Sequence, residues 1–342
     1  MGHFMTQNWL NSLRRRNRSR SKKHNRLFWI ILVVAVVGVI AAVIFYSRSA
    51  KLAARDNDVE SAGTPEETPG KPTSTVTVDK SKILDFWQKG DKDSTLSLCR
   101  EGVAASHLDP FYLSFEGIAA YYSSLEKPEG DERQALLDEA VFSLRKSLVA
   151  DEHLPIRPQV EYVLGKAYFQ KGTPWYDLAV SFLERSKADG YSAVDTEQYL
   201  GLAYAGMGLH DKAIEHYELA LSQQPSDVLM LSAAMSYKEL GNNTRAEELL
   251  TKVIDSDVDA VLVQKSRYML AGFAMEKGEL AKATSLYQAI VNADPEAADA
   301  WFQMGLIYEK QNDPIKARAA WRKVISINPN YAEARKKLAE KL

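Results

Sequence analysis

Residues 298–331 read ADAWFQMGLIYEKQNDPIKARAAWRKVISINPNY, and this stretch decides the fold. It places Trp301, Met304, Gly305, Tyr308, Ala317, Trp321 and Pro329 at offsets that recur upstream. Ala317 is preceded by Ala283, Ala246, Ala213 and Ala179, at intervals of 34, 37, 33 and 34 residues. The 264–297 stretch holds Leu270, Ala271, Ala283, Tyr287 and Pro295, and the 194–227 stretch Leu200, Gly201, Tyr204, Ala213, Tyr217 and Pro225. The 227–260 stretch (Ala233, Ala234, Tyr237, Ala246, Leu250) lacks the closing proline, and 158–191 (Leu164, Gly165, Tyr168, Ala179, Leu183) carries two extra residues around Pro174. Farther upstream Phe115, Gly117, Tyr121, Ala140 and Leu144 suggest a unit with a long turn over 127–133, and 83–105 reads as a degenerate first unit.

Each recurring position has a physical reason. Small residues such as Gly201, Ala271 and Gly305 let a first helix approach a second, and Ala213, Ala283 and Ala317 do the same from the other side. Gly208, Gly241 and Gly278 fall between helices, where the left-handed conformation ends a helix. Pro225, Pro295 and Pro329 stop the second helices, because proline cannot donate the next hydrogen bond. Asp227 and Asp294 flank these ends as caps or turn residues. Residues 331–342 read as a solitary capping helix with a packing stripe of Ala332, Arg335, Leu338 and Leu342 and a charged outer face.

The spacing W-x2-L-G-x2-Y…A-x3-F…P, with Met304 for Leu and Trp321 for Phe, resembles the tetratricopeptide repeat, a helix–turn–helix unit. The resemblance covers about 113–342 well and 82–112 poorly. It implies an all-α solenoid over 82–342, with five clear and one or two degenerate repeats, because one unit cannot bury its apolar face alone. It also implies a groove lined by the first helices. By repeat register that groove holds Tyr162, Lys166, Phe169, Gln198, Leu202, Leu231, Met235, Lys238, Tyr268, Met275, Phe302, Leu306 and Glu309. The set is rather apolar and lacks the regular Lys/Asn/Arg clamp of repeats that bind acidic C-terminal peptides. An amphipathic helix or extended segment, with Met235 and Met275 as adaptable contacts, is the partner it suits.

The first third of the chain reads as an anchor and a spacer. Leu27–Tyr46 is 20 residues without a charge, 14 of them Leu, Ile, Val or Phe. At about 1.5 Å per residue it reaches roughly 30 Å, the thickness of a bilayer core. It is therefore expected to be a single transmembrane helix, with a cleaved signal peptide as the alternative. Residues 1–26 carry eight Lys and Arg and no acid, which places this tail in the cytoplasm and the repeats on the opposite side of the membrane; the architecture's similarity to bacterial envelope repeat proteins implies an inner-membrane anchor with the repeats in the periplasm. The basic tail is read as a topology and lipid-headgroup signal rather than a nucleic-acid site. Residues 47–81, with Pro65, Pro69, Pro72 and a Ser/Thr cluster, read as a disordered spacer. Gly38 and Ala42 are spaced so that two such spans could approach, which leaves homo-oligomerisation open.

The near-neutral total hides an asymmetry. Of 43 Lys and Arg, eight lie in 1–26 and six in 47–82; residues 83–342 keep 29 against 39 Asp and Glu, a net of −10. An acidic repeat region argues against nucleic acid as its ligand. The one cysteine, Cys99, permits no intramolecular disulfide and reads as a buried thiol, with an intermolecular bridge as the lesser alternative. His210 and His216 are not at metal-ligand spacing, and His210 reads as a solvated turn residue. No phosphate loop, nucleophile elbow or acid pair is present in the sequence, so no cofactor, metal or enzymatic activity is expected. The expected function is a membrane-anchored scaffold or adaptor. The architecture is similar to bacterial envelope repeat proteins, which leaves two alternatives: a holdase-like, translocon-associated helper for exported chains, or a component of a periplasmic flagellar collar.

Overall fold

The computed structural model describes residues 78–340. The expected tail 1–26, membrane span Leu27–Tyr46 and most of the spacer 47–81 lie outside the described residues, as does Leu342 of the expected terminal stripe. Among the described residues there are fifteen α-helices and no strand, and no helix is long and apolar enough to cross a membrane. The chain divides after Leu209 into two compact units.

The first unit comprises α1 (Lys80–Gln88), α2 (Lys92–Ala105), α3 (Pro110–Glu126), α4 (Asp131–Ala150), α5 (Arg157–Lys171), α6 (Tyr176–Ala188) and α7 (Thr196–Gly206). Aspartates start the first three: Asp79, Asp91 and Asp109 accept from the amides of Ser81, Ser94 and Phe111 at 2.9–3.0 Å. Successive helices pack antiparallel-wise as hairpins, and the first helices α3, α5 and α7 also touch one another in turn. That placement explains why α3 and α5 show little amphipathic pattern. With neighbours on several sides, Tyr112–Tyr121 and Val160–Phe169 are buried without a break.

Small residues set the hairpin spacing as expected. A Cβ built on Gly117 would lie 2.6 Å from Leu144 Cγ, and one on Gly165 2.7 Å from Leu183 Cγ. The degenerate first unit proves to be a complete hairpin, α1–α2. Its motif is hidden because Thr95 and Cys99, both fully buried, stand on α2 where Ala179 and Leu183 stand on α6. The long turn expected at 127–133 spans residues 127–130 and gives way to helix at Asp131, so Ala140 is the tenth residue of α4 rather than its fourth. The two extra residues near Pro174 are absorbed by a 3-10 turn, Thr173–Trp175.

The second unit comprises α8 (His210–Gln223), α9 (Asp227–Glu239), α10 (Asn243–Ser256), α11 (Ala260–Glu276), α12 (Leu280–Ala293), α13 (Ala298–Lys310), α14 (Pro314–Ile327) and α15 (Ala332–Ala339). Pro225, Pro295 and Pro329 each stand two residues beyond the end of a second helix. Where the 227–260 repeat lacks that proline, Asp257 takes a left-handed conformation (φ 48°) after α10 instead. Ser226, not Asp227, caps α9; Asp294 folds an Asx turn onto the Glu296 amide at 3.0 Å. Gly278 ends α11 at φ 76°, and Asn312 takes the corresponding place after α13 at φ 58°. We expect Gly278→Ala to cost about 1–2 kcal/mol, and Gly278→Asn clearly less, in urea titrations of the full chain.

The terminal helix is present, with a different inner face. Ala332 and Arg335 are exposed, whereas Ala334 is fully buried and Tyr331 and Leu338 half-buried. Lys337 turns inward to pair with Glu309 at 2.7 Å. Together these residues seal Trp321, which is wholly buried on α14.

Candidate functional site

The expected groove positions separate into two groups. In the first unit, Tyr162, Lys166 and Phe169 are 5–6% exposed. Lys166 Nζ donates to Asp195 Oδ2 at 2.8 Å and to the Tyr162 hydroxyl at 3.0 Å. It lies 4.7 Å from the Tyr199 ring centroid, 4.9 Å from that of Tyr162 and 5.8 Å from that of Tyr121. The Tyr162 hydroxyl also donates to Asp195. Phe169 stacks on Tyr176 at 5.1 Å and meets Tyr199 edge-on at 5.2 Å.

Burial alone would lower the Lys166 ammonium, but the Asp195 carboxylate and the tyrosines around it hold it well above its ordinary value. For Asp195, burial pushes up and Lys166 pulls down, and Lys166 prevails. These groups are thus a self-satisfied strut that ties α5 to the start of α7. Tyr162, Lys166 and Phe169 are spent inside the protein and are corrected from groove positions to internal ones. Gln198 and Leu202 on α7 are half-buried and keep part of their surface. Repeat register could not show this, because the side chains that cover α5 come from the 191–199 segment.

In the second unit, Leu231 is fully buried and is likewise corrected to a core position. Met235, Tyr268, Met275, Phe302 and Leu306 are half-buried, and Lys238 is exposed. Glu309 is half-buried and held by Lys337. Tyr268 opens onto a cleft of about 400 Å³, walled by α11, the α12–α13 turn and the α14–α15 turn. Its lining also includes Gln264, Ile290, Asp294, Glu296, Asp299, Asn328 and Tyr331. Of the expected positions, Tyr268 is the one in this wall. The others escaped the sequence reading because they stand one turn earlier or in the turns between hairpins. Gln264 is four residues before Tyr268, so both share one face of α11.

Two consecutive repeats and the start of the terminal helix shape the cleft. The Tyr331 hydroxyl donates to Asp299 Oδ1 at 2.9 Å, and its ring lies 5.2 Å from that of Phe302. Trp301 Nε1 donates to the Pro295 carbonyl at 3.1 Å, which fixes the α12–α13 turn. Tyr268 meets Tyr287 edge-on at 5.9 Å. Burial, with the Asp299 charge second, pushes the Tyr268 hydroxyl up to about 12, so it stays a neutral donor at physiological pH. The cleft therefore offers aromatic faces, hydroxyl donors and carboxylate acceptors: groups for holding a ligand, with no activated nucleophile among them.

Elsewhere, Cys99 is fully buried and burial pushes its thiol up, which makes it unreactive. His210 is not a solvated turn residue: it opens α8, half-buried, with Nδ1 3.2 Å from Ser236 Oγ. Among the described residues no group of three or more His, Cys, Asp or Glu is placed to hold a metal ion.

Comparison with known proteins agrees with this architecture. Tetratricopeptide-repeat families match residues 200–227, 231–298 and 298–331. The chain is 26% identical over 184 residues to a BBSome complex member BBS4 homolog of Drosophila melanogaster, covering 51% of this chain and 37% of that protein. It is 28% identical over 131 residues to protein O-mannosyl-transferase TMTC1 of Mus musculus, covering 38% and 10%. The chain thus spans about a third and a tenth of the lengths of these relatives. The solved C-terminal part of a repeat-containing protein from Cytophaga hutchinsonii aligns over 77% of this chain and all of that one, with a TM-score of 0.59 at 14% identity, a likeness of fold. Repeat spacing, stacked hairpins and these matches together place the chain in the tetratricopeptide-repeat superfamily.

Proposed function

We propose that this protein is a non-catalytic adaptor that holds a partner protein on the first-helix face of its second unit, at a membrane in which Leu27–Tyr46 anchors it. Tetratricopeptide repeats are in general protein-interaction scaffolds, and the fly relative is named as a member of a complex. The observation that carries the reading is the open cleft beside Tyr268, which two successive repeats and the start of the terminal helix line with aromatic and polar groups. The basic tail and the uncharged span support a cytoplasmic N-terminus, with the repeats on the opposite side of the membrane.

Site-specific photocrosslinking in intact membranes tests this. A crosslinker at Tyr268 is expected to give one discrete adduct that fractionates with membranes. One at Lys252, exposed on α10, is expected to give none. A smear of many adducts at Tyr268 would favour a chaperone of exported chains over an adaptor. Equal labelling from both positions would move the binding surface away from the cleft.

A further inference from the structure

We infer that the outer face of α4 is an interface on which a second copy of this chain packs, with the two α4 helices antiparallel. Repeat register exposes the same two positions on each second helix, two and nine residues after the small residue that faces the first helix. The other second helices fill the earlier position with Ser97, Ser181, Glu215, Glu248, Ser285 and Ala319, and the later one with Ala, Ser, Asp or Asn. Among the described residues α4 alone fills them with large apolar groups, Phe142 and Val149, which are 64% and 81% exposed. The packing of the hairpin does not need them, since six other hairpins do without. α4 is also the longest second helix, with 20 residues against 13 or 14. Its extra turns at 131–136 bring a further exposed small residue, Ala135, onto the same face.

The charges on this face name the occupant. Ala135 and Val149 stand seven residues before and after Phe142, and Asp138 and Lys146 four before and after it. At 3.6 residues per turn all five lie within about 40° of one line along the helix. Read backwards, the order complements itself. About a two-fold axis through Phe142, ring meets ring, Asp138 meets Lys146 of the second copy, and Ala135 makes room for its Val149. A two-fold contact requires such a self-complementary patch. The charges are available for it. Lys171 and Gln134 both use Asp138 Oδ1, which leaves Oδ2, and Lys146 lies 5.7 Å from the Phe142 ring centroid with no ion-pair partner among the described residues. Glu139 and Arg145 flank the stripe with the same symmetry, but Arg100 already holds Glu139 at 2.6 Å. Exposed ion pairs add little strength and fix register, while Phe142 and Val149 supply the apolar burial. Stable free dimers bury about 1,200–2,000 Å², and one pair of helices offers less. The contact is therefore weak in solution and gains where copies share a membrane, as the anchor proposed above would provide.

The test uses the concentrated full chain in detergent micelles and a short bis-maleimide. Cys99 is fully buried and its thiol is pushed up, so an added cysteine is the one that reacts. Chains with Ala135→Cys and chains with Val149→Cys, carrying different tags, are mixed; a second mixture holds Ala135→Cys under both tags. In the antiparallel pair position 135 faces 149 of the other copy, whereas the two 135 positions stand about 21 Å apart along the helix. Linkage between tags is expected to be at least about tenfold greater in the first mixture. Phe142→Asp in both chains sets two carboxylates face to face. It should cut that linkage at least about tenfold and leave the melting temperature unchanged, because Phe142 is mostly in water. Equal linkage in the two mixtures would mean random collision, and linkage that survives Phe142→Asp would put the contact elsewhere; either result overturns the inference. No linkage in either mixture overturns it as well and leaves the stripe to another protein or to lipid. The adaptor reading is tested apart from this, since its crosslinker sits at Tyr268 in the second unit.

Discussion

Replacing Trp321 with alanine is expected to destabilise the C-terminal repeats by about 3–5 kcal/mol, the cost of emptying a large aromatic site in a core that cannot collapse around it. Trp321 is wholly buried and packs against Ala317, Val324 and Ala334, with Trp301, Phe302 and Tyr331 around them. It also sits against the backbone of α13, where a Cβ built on Gly305 would overlap the indole. The two positions are therefore one contact, and their variants should not add. Gly305→Ala in the wild type should cost roughly 1–3 kcal/mol through overpacking, and in the Trp321→Ala background much less, because the space is then empty. Trp321→Phe should cost less than alanine, since phenylalanine fills much of the site and removes an indole N–H that has no partner. Amide exchange read by mass spectrometry checks this. Protection over 298–339 should fall by about a hundredfold or more, while α1–α4 stay unchanged, because repeat stability is a sum of neighbour terms. Strictly additive single and double variants would show that the helices do not meet through these two residues.

That contact was legible from the sequence for a simple reason. Gly305, Ala317 and Trp321 meet across one hairpin, so their offsets are fixed by helix geometry and recur wherever the hairpin recurs. The stop at Pro329 and the turn at Gly278 are equally local. Legibility ended where chemistry was substituted or contacts became non-local. Thr95 and Cys99 do the packing of an alanine and a leucine, and so the first hairpin looked degenerate although its geometry is complete. The extra residues before Ala140 could be written as loop or as helix, and α4 took them as helix. Of the groove, register placed Tyr268 on an open face but could not say that Lys166 is covered. Of the groups that cover it, Asp195 and Tyr199 lie about thirty residues later, at the start of the next repeat, and Tyr121 lies on the preceding one, at positions outside the repeat motif's small and apolar set. The cleft residues Gln264, Asp299 and Tyr331 come from two successive repeats, Asp299 and Tyr331 from opposite ends of the second, and no periodic pattern in either marks their convergence.

The covered lysine yields the second large effect. Lys166→Met is expected to destabilise the first unit by about 2–3 kcal/mol, below the 3–5 kcal/mol of a sealed ion pair because the Asp195 side chain keeps 37% exposure. Methionine fills the space among Tyr121, Tyr162 and Tyr199 but leaves the Asp195 carboxylate without its cation. Adding Asp195→Asn should recover most of the loss, since the amide oxygen still accepts from the Tyr162 hydroxyl and no charge remains to be compensated. The pH dependence separates this account from a packing defect. Lys166 holds the folded-state Asp195 below its ordinary value, so the pair stabilises the protein above the unfolded aspartate value, about 4, and loses that contribution as pH falls through the lower folded one. The stability gap between wild type and Lys166→Met should therefore be full at pH 7 and shrink steadily below pH ~4. Glu116 gives the opposite sign within the same unit. Burial raises its carboxyl despite the 2.7 Å bond from Ser143, so its contribution is largest in acid and is lost as pH rises through its folded value. Because Glu116 is common to both proteins, it cancels in the difference. A gap that stays constant from pH 7 to pH 3 in urea titrations would mean that Lys166 acts through its aliphatic stem and not through Asp195.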